Sequence, residues 1–110
     1  MKIDFSGIAE RETPEFKGGK KSVYLKTIEK NDVKFIMARV PKGASVGMHK
    51  HLFDSETIYV LSGRGKAMCD GSTEMLEAGS IHFCPREYSH TVTNEYDEDL
   101  VFFAVVPKQI

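Results

Sequence analysis

The chain has almost no excess of charge of either sign. Its 110 residues carry 15 Lys and Arg against 16 Asp and Glu, a formal net charge of −1. A nucleic-acid binder needs a basic face to neutralise phosphates, so this balance speaks against one. The one basic cluster, Lys17, Lys20 and Lys21 around Gly18-Gly19, reads as a solvated turn. Long apolar runs are missing too. The longest, Leu100 to Val106, has seven residues, against the roughly 20 that a membrane helix needs. The opening stretch MKIDFSGIAERE lacks the apolar segment of a secretory signal, and a cytoplasmic protein is expected. Cysteine is scarce. Cys69 and Cys84 are too far apart for a CxxC pair and read as free thiols in a reducing compartment. There is no low-complexity tract and no internal repeat. The length is that of one domain, large enough to bury a core without disulfides.

What recurs is the short strand. VYLKTI (23–28) is followed by the turn Lys30-Asn31-Asp32, then VKFIMARV (33–40) and Pro41-Lys42-Gly43. SVGMHKH (45–51), ETIYVL (56–61) and KAMCD (66–70) come next, the last running into Asp70-Gly71, a two-residue hairpin signal. STEML (72–76), SIHFC (80–84), HTVTN (90–94) and DLVFFAVV (99–106) complete about nine strands. No window keeps a 3.6-residue apolar stripe. Many short strands in one small domain predict an all-β sandwich or barrel.

VKFIMARV and LVFFAVV are apolar on both faces, so each wants cover on both sides. A second subunit would provide it, and a homodimer is expected. Residues 1–21 read as an N-terminal arm, packed on the barrel of residues 22–110 or exchanged with the second subunit. Ile3, Phe5, Ile8 and Phe16 are its anchors, and Gly18-Gly19 is the break between arm and barrel.

The chemistry gathers around three of the four histidines. Gly43, His49, His51, Glu56 and Gly63 form one spaced group; Gly79, Pro85, His90 and Asn94 form another. With four His and nine Gly in the whole chain, the first grouping is far rarer than composition alone would produce. His49 and His51 are two apart, so in a strand they share a face about 6.5–7 Å apart. The short loop Leu52–Ser55 can turn Glu56 back beside them, and His90 arrives from a later strand. Three neutral imidazoles and a carboxylate suit a divalent transition metal. Glu56 offsets half of the ion's charge, leaving a site that attracts anions. Four protein ligands on an octahedral ion leave two positions open, which signals chemistry rather than structure alone.

The sequence resembles the small single-domain cupins. The first motif of that family reads here as GASVGMHKHLFDSETIYVLSG (43–63) and the second as GSIHFCPREYSHTVTN (79–94), separated by 15 residues. One departure stands at Glu87, where the family usually has Gly. The resemblance implies a double-stranded β-helix, a jelly-roll barrel. It implies one divalent metal per chain (Mn, Fe, Ni, Zn, Co or Cu) held inside by His49, His51, Glu56 and His90. It also implies dimers with exchanged N-terminal strands.

Four further residues carry expectations. His82 alternates with Ile81 and Phe83; facing inward, it would be a candidate general acid or base near the metal. Glu87 would be an exposed turn residue or a carboxylate acting at the barrel mouth. Tyr88 is a candidate for lining the substrate pocket. Asp54, the rival of Glu56 as ligand, reads as support for its loop. The expected function is the handling of a small polar, metal-chelating molecule, as a dioxygenase, isomerase or decarboxylase. The alternative is a non-catalytic module that binds or senses such a ligand through its metal.

Overall fold

The computed structural model of the protein describes residues 1–109. Among these residues lie ten strands and a single 3₁₀ turn. The strands are β1 (Arg11–Pro14), β2 (Ser22–Lys30), β3 (Val33–Val40), β4 (Ser45–Lys50), β5 (Glu56–Ser62), β6 (Arg64–Cys69), β7 (Ser72–Glu77), β8 (Ile81–Cys84), β9 (Ser89–Thr93) and β10 (Leu100–Pro107), and the turn is Phe16–Gly18. They form two antiparallel sheets, ordered β1-β2-β3-β10-β5-β8 and β4-β9-β6-β7. Two facing sheets of this kind make a jelly-roll barrel, the all-β class expected. Among the described residues no helix is long and apolar enough to cross a membrane.

Turn chemistry sets the hairpins. Asn31 and Asp32 both take positive φ, as do Asp70 and Gly71, the two-residue geometry that matches strand twist. β1 was not expected. Its sequence RETP has no apolar alternation, and it is held at the sheet edge by pairing with β2, Arg11 opposite Leu25.

The core lies between the sheets. β10 alternates strictly, with Leu100, Phe102, Ala104 and Val106 buried. They meet Val23, Ala38, Val40, Ile58 and Val60 of the large sheet and Val46, Ala67 and Val92 of the small one. Each large side chain here contributes about 1.5–3 kcal/mol by leaving water. Asn94 closes one end of the barrel. It is fully buried, and its amide donates to the carbonyls of Val40 at 2.8 Å and Glu98 at 2.7 Å.

The outward residues of β10 are partly covered by the arm, where Phe5 meets Phe103 edge-on with ring centres 6.3 Å apart. Further across the same face, Tyr59, Leu61, Ile81 and Phe83 are exposed. Gly18-Gly19 does not detach the arm from the barrel. The segment lies against β4, where Lys20 N–H donates to Ser45 Oγ at 2.8 Å. The contact is so close that a Cβ on Gly47 would stand 2.2 Å from the Lys17 carbonyl oxygen. Only a residue without a side chain allows that approach.

Candidate metal centre

β4 carries His49 and delivers His51 just past its end, both directed into the barrel by strand alternation. On the neighbouring strand β9, His90 stands opposite His49 in register. Glu56 opens β5 on the facing sheet. The loop between His51 and Glu56 is pinned from outside by three bonds. Ser55 N–H donates to the Pro107 carbonyl, Gln109 N–H to that of Phe53, and Arg86 Nε–H to that of Leu52.

The four side chains converge. His90 Nε2 lies 2.9 Å from His51 Nε2 and 3.2 Å from His49 Nε2. Glu56 Oε1 is 3.1 Å from both His51 Nε2 and His90 Nε2. All four donor atoms fall within 4.8 Å of one another. Donors about 2.1 Å from a shared ion stand about 3.0 Å apart at right angles and about 3.4 Å apart in a tetrahedron. Three of these four spacings sit nearer the right-angled value, and the His90–His49 spacing of 3.2 Å falls midway. The donor set could therefore hold one divalent cation with further positions open.

Each imidazole is oriented from behind. His49 Nδ1 faces the Gly47 carbonyl at 2.7 Å, and His51 Nδ1 faces Asp54 Oδ1 at 2.5 Å. His90 Nδ1 faces His82 Nε2 at 3.0 Å, and His82 Nδ1 faces Glu74 Oε1 at 2.6 Å. An Nδ1–H donating to each acceptor leaves the three Nε2 lone pairs aimed at one point. Crowded lone pairs repel unless a proton or a cation lies between them.

The electrostatics follow from this crowding. Burial, the largest single influence on Glu56, raises its pKa, but hydrogen bonds and charge from His51 and His90 outweigh it and bring it down to about 2. Burial likewise opposes charge on His51, yet Glu56 and Asp54 together raise its pKa above the usual value. At His49 burial prevails, helped by the neighbouring imidazoles, and holds the pKa below the usual value.

His82 faces inward and is 1 % exposed, while Ile81 and Phe83 face out. It stands behind His90 rather than on the cavity wall, and both its ring nitrogens are engaged. Glu87 and Tyr88 are exposed and do not line the cavity. Glu87 adopts φ +75°, the conformation that Gly normally supplies at this position. The strain, about 1–2 kcal/mol, is held by backbone bonds. Glu87 N–H donates to the His51 carbonyl at 2.6 Å and His51 N–H to that of Tyr88 at 3.1 Å. The turn thus steadies His51 through its backbone. Asp54 does more than support a loop, since it orients His51. Glu74 and Gly47 also went unnoticed in the sequence. Their partners lie on other strands or depend on a backbone carbonyl, and no local pattern marks either. Both cysteines are free, and burial pushes the Cys84 thiol up to about 12.

The quartet opens on a cavity of about 420 Å³. That volume falls in the roughly 300–1,000 Å³ range of small-molecule pockets. An inward-facing three-histidine, one-glutamate cluster within a jelly roll, buried except for the half-buried His49, defines a class of protein, and comparison with known proteins agrees. The cupin domain family model matches residues 36–106, and the chain belongs to that family. It is 30% identical over 112 residues to the oxalate-binding protein of Thermotoga maritima, covering 96% of this chain and 93% of that one. A Thermotoga maritima crystal structure described as a predicted oxalate decarboxylase matches with a TM-score of 0.91 at 30% identity, over 98% of this chain and 99% of that chain. A cupin-2 domain from Rhodospirillum rubrum, at 18% identity and a TM-score of 0.81 over 97% of this chain and 74% of its own, shares the fold.

Proposed function

We propose that this cupin holds one divalent transition metal on His49, His51, Glu56 and His90 and uses it to capture a small chelating carboxylate of the oxalate type. The convergence of four inward-facing donors, each imidazole oriented by its own acceptor, carries this reading. The ion, when bound, supplies Lewis acidity and coordination positions for two ligand oxygens. The name of the Thermotoga relative supports oxalate as the model ligand. Lys17, Lys34 and Lys50 on the cavity lining add positive potential for an anion.

Capture is favoured over catalysis by the surroundings of the quartet. Of the two candidate acid–base groups, His82 has both nitrogens occupied and Glu87 lies off the cavity. Decarboxylase, dioxygenase or isomerase activity is the second reading, favoured by donor spacings of 2.9 and 3.1 Å that would suit an ion with coordination positions left for substrate. The test is to strip the protein with chelator, reload it with Mn, Fe, Co, Ni, Cu or Zn, and titrate oxalate by calorimetry. Oxalate binding should require metal and vanish with metal content in His90→Ala. Oxalate binding that is indifferent to metal overturns the capture reading. Release of CO₂ from oxalate would move it to the decarboxylase reading. We also propose a homodimer that covers Tyr59, Leu61, Ile81 and Phe83, whose exposure on one sheet face supports it.

A further inference from the structure

Resting on the metal-capture reading, the cavity wall says more about the ligand than the donor set does. On one side stand the four metal donors. Most of the remaining wall is apolar, built from Leu25, Ile36, Ala38, Val46, Ile58 and Phe102. Leu25 and Ile36 pack against the core yet stay only partly buried, so they keep apolar surface turned to the cavity. The acidic groups on the lining, Asp54 and Glu56, are both engaged by histidines.

Oxalate matches half of this site. Its two carboxylates can chelate an ion, but it has six non-hydrogen atoms and no apolar group. Bound alone, it would leave the rest of a cavity of about 420 Å³ to water against walls that, apart from Lys17, Lys34, Lys50 and Thr27, are mostly hydrocarbon. Water gains little there, because apolar walls offer it few hydrogen bonds. A 2-oxo or 2-hydroxy carboxylate presents the same two cis oxygens to the ion. It carries a substituent in place of the outer oxygen of the second carboxylate. That substituent would extend from the donor set along the Leu25–Ile36 wall.

We infer that the site is built for a 2-oxo or 2-hydroxy monocarboxylate bearing an apolar chain, with the carboxylate end on the metal and the chain against Leu25, Ile36 and Phe102. Burying each methylene is worth about 0.8 kcal/mol, which is about a four-fold gain in affinity. Oxalate keeps the advantage of its second charge, so the decisive comparison lies within one chemical series.

The experiment uses the full chain loaded with Co(II), whose visible bands report ligation, with calorimetry in parallel. Oxalate, glyoxylate, 2-oxobutanoate, 2-oxopentanoate and 2-oxohexanoate are titrated in turn. Affinity should rise by about two- to four-fold per added methylene from 2-oxobutanoate onward. In Ile36→Asn, which makes the wall polar, the ratio of 2-oxohexanoate to glyoxylate affinity should fall at least five-fold. Because this is a ratio within one variant, a general loss of binding does not produce it. Oxalate and glyoxylate binding with no rise along the series overturns the chain-binding inference and leaves metal capture standing. A ratio unchanged in Ile36→Asn overturns the placement of the chain. Failure of the loaded protein to bind either oxalate or glyoxylate overturns both readings.

Discussion

Consider the replacement of His82 by Leu. The side chain is buried, and Leu fills most of the space without bringing a polar group of its own. What disappears is the acceptor 3.0 Å from His90 Nδ1. The His90 Nδ1–H is then left without a partner in a dry interior, a loss of about 1–3 kcal/mol. The imidazole is also released from the one tautomer and one rotation that aim Nε2 at His49, His51 and Glu56. Substituting the outer partner of a metal-ligating histidine typically lowers metal affinity by about 10–100-fold, and His82→Leu is expected in that range. Glu74→Gln is milder. The 2.6 Å bond to His82 loses its charge assistance, but Glu74 is half exposed and water screens what remains. A fall of about three- to ten-fold is expected, the low end of that outer-partner effect. The assay is competition for Co(II) or Zn(II) against a chromophoric chelator, with thermal melting of the chelated protein to confirm the fold. The ordering matters as much as the size. Affinity within two-fold of the parent in a folded His82→Leu protein would refute the reasoning, as would Glu74→Gln proving the more damaging variant.

The other expected outcomes concern pH and three further substitutions. In chelated protein the raised His51 pKa stabilises the fold fully below about pH 6.5, its unfolded value, and that contribution is lost as pH rises through the folded value. The depressed Glu56 pKa contributes above its unfolded value of 4.5 and is lost as pH falls toward about 2. Metal must displace the His51 proton, so affinity should climb with pH across the same region; a flat response from pH 5 to 8 in a competition titration contradicts this. Gly47→Ala drives a methyl into the Lys17 carbonyl and should cost at least about 1–3 kcal/mol in denaturant unfolding; a neutral result would mean the arm does not seat on β4. Glu87→Gly removes the left-handed strain and should raise stability by about 1 kcal/mol in the same assay; a loss would mean that the side chain itself is needed. In the proposed homodimer Phe83→Lys should shift the mass toward monomer by light scattering, and a dimeric mass unchanged by it would place the interface elsewhere.

The positions of nine strands could be read from the chain because period-two alternation and turn residues are local properties. Asp70-Gly71 turns the chain wherever it occurs, and His49 and His51 share a face in any strand. The parity of β8 could not be read in this way. Ile81 and Phe83 look like the buried pair and His82 like the exposed residue, yet the burial is reversed. Pairing with β5 sets Cys84 opposite Glu56 and His82 opposite Ile58, both inward positions, and so carries His82 in with them. A strand with two acceptable faces takes its orientation from its neighbour.

From the order of residues alone came the fold class, the turns and the candidate quartet, since these depend on spacing along the chain. Only the tertiary structure decided how the quartet is held. Glu74 behind His82 and the Lys17 carbonyl against Gly47 are meetings between segments whose distances exist only once two sheets have closed over a common interior, and even Asp54, three residues from His51, owes its place behind that ring to the folded loop.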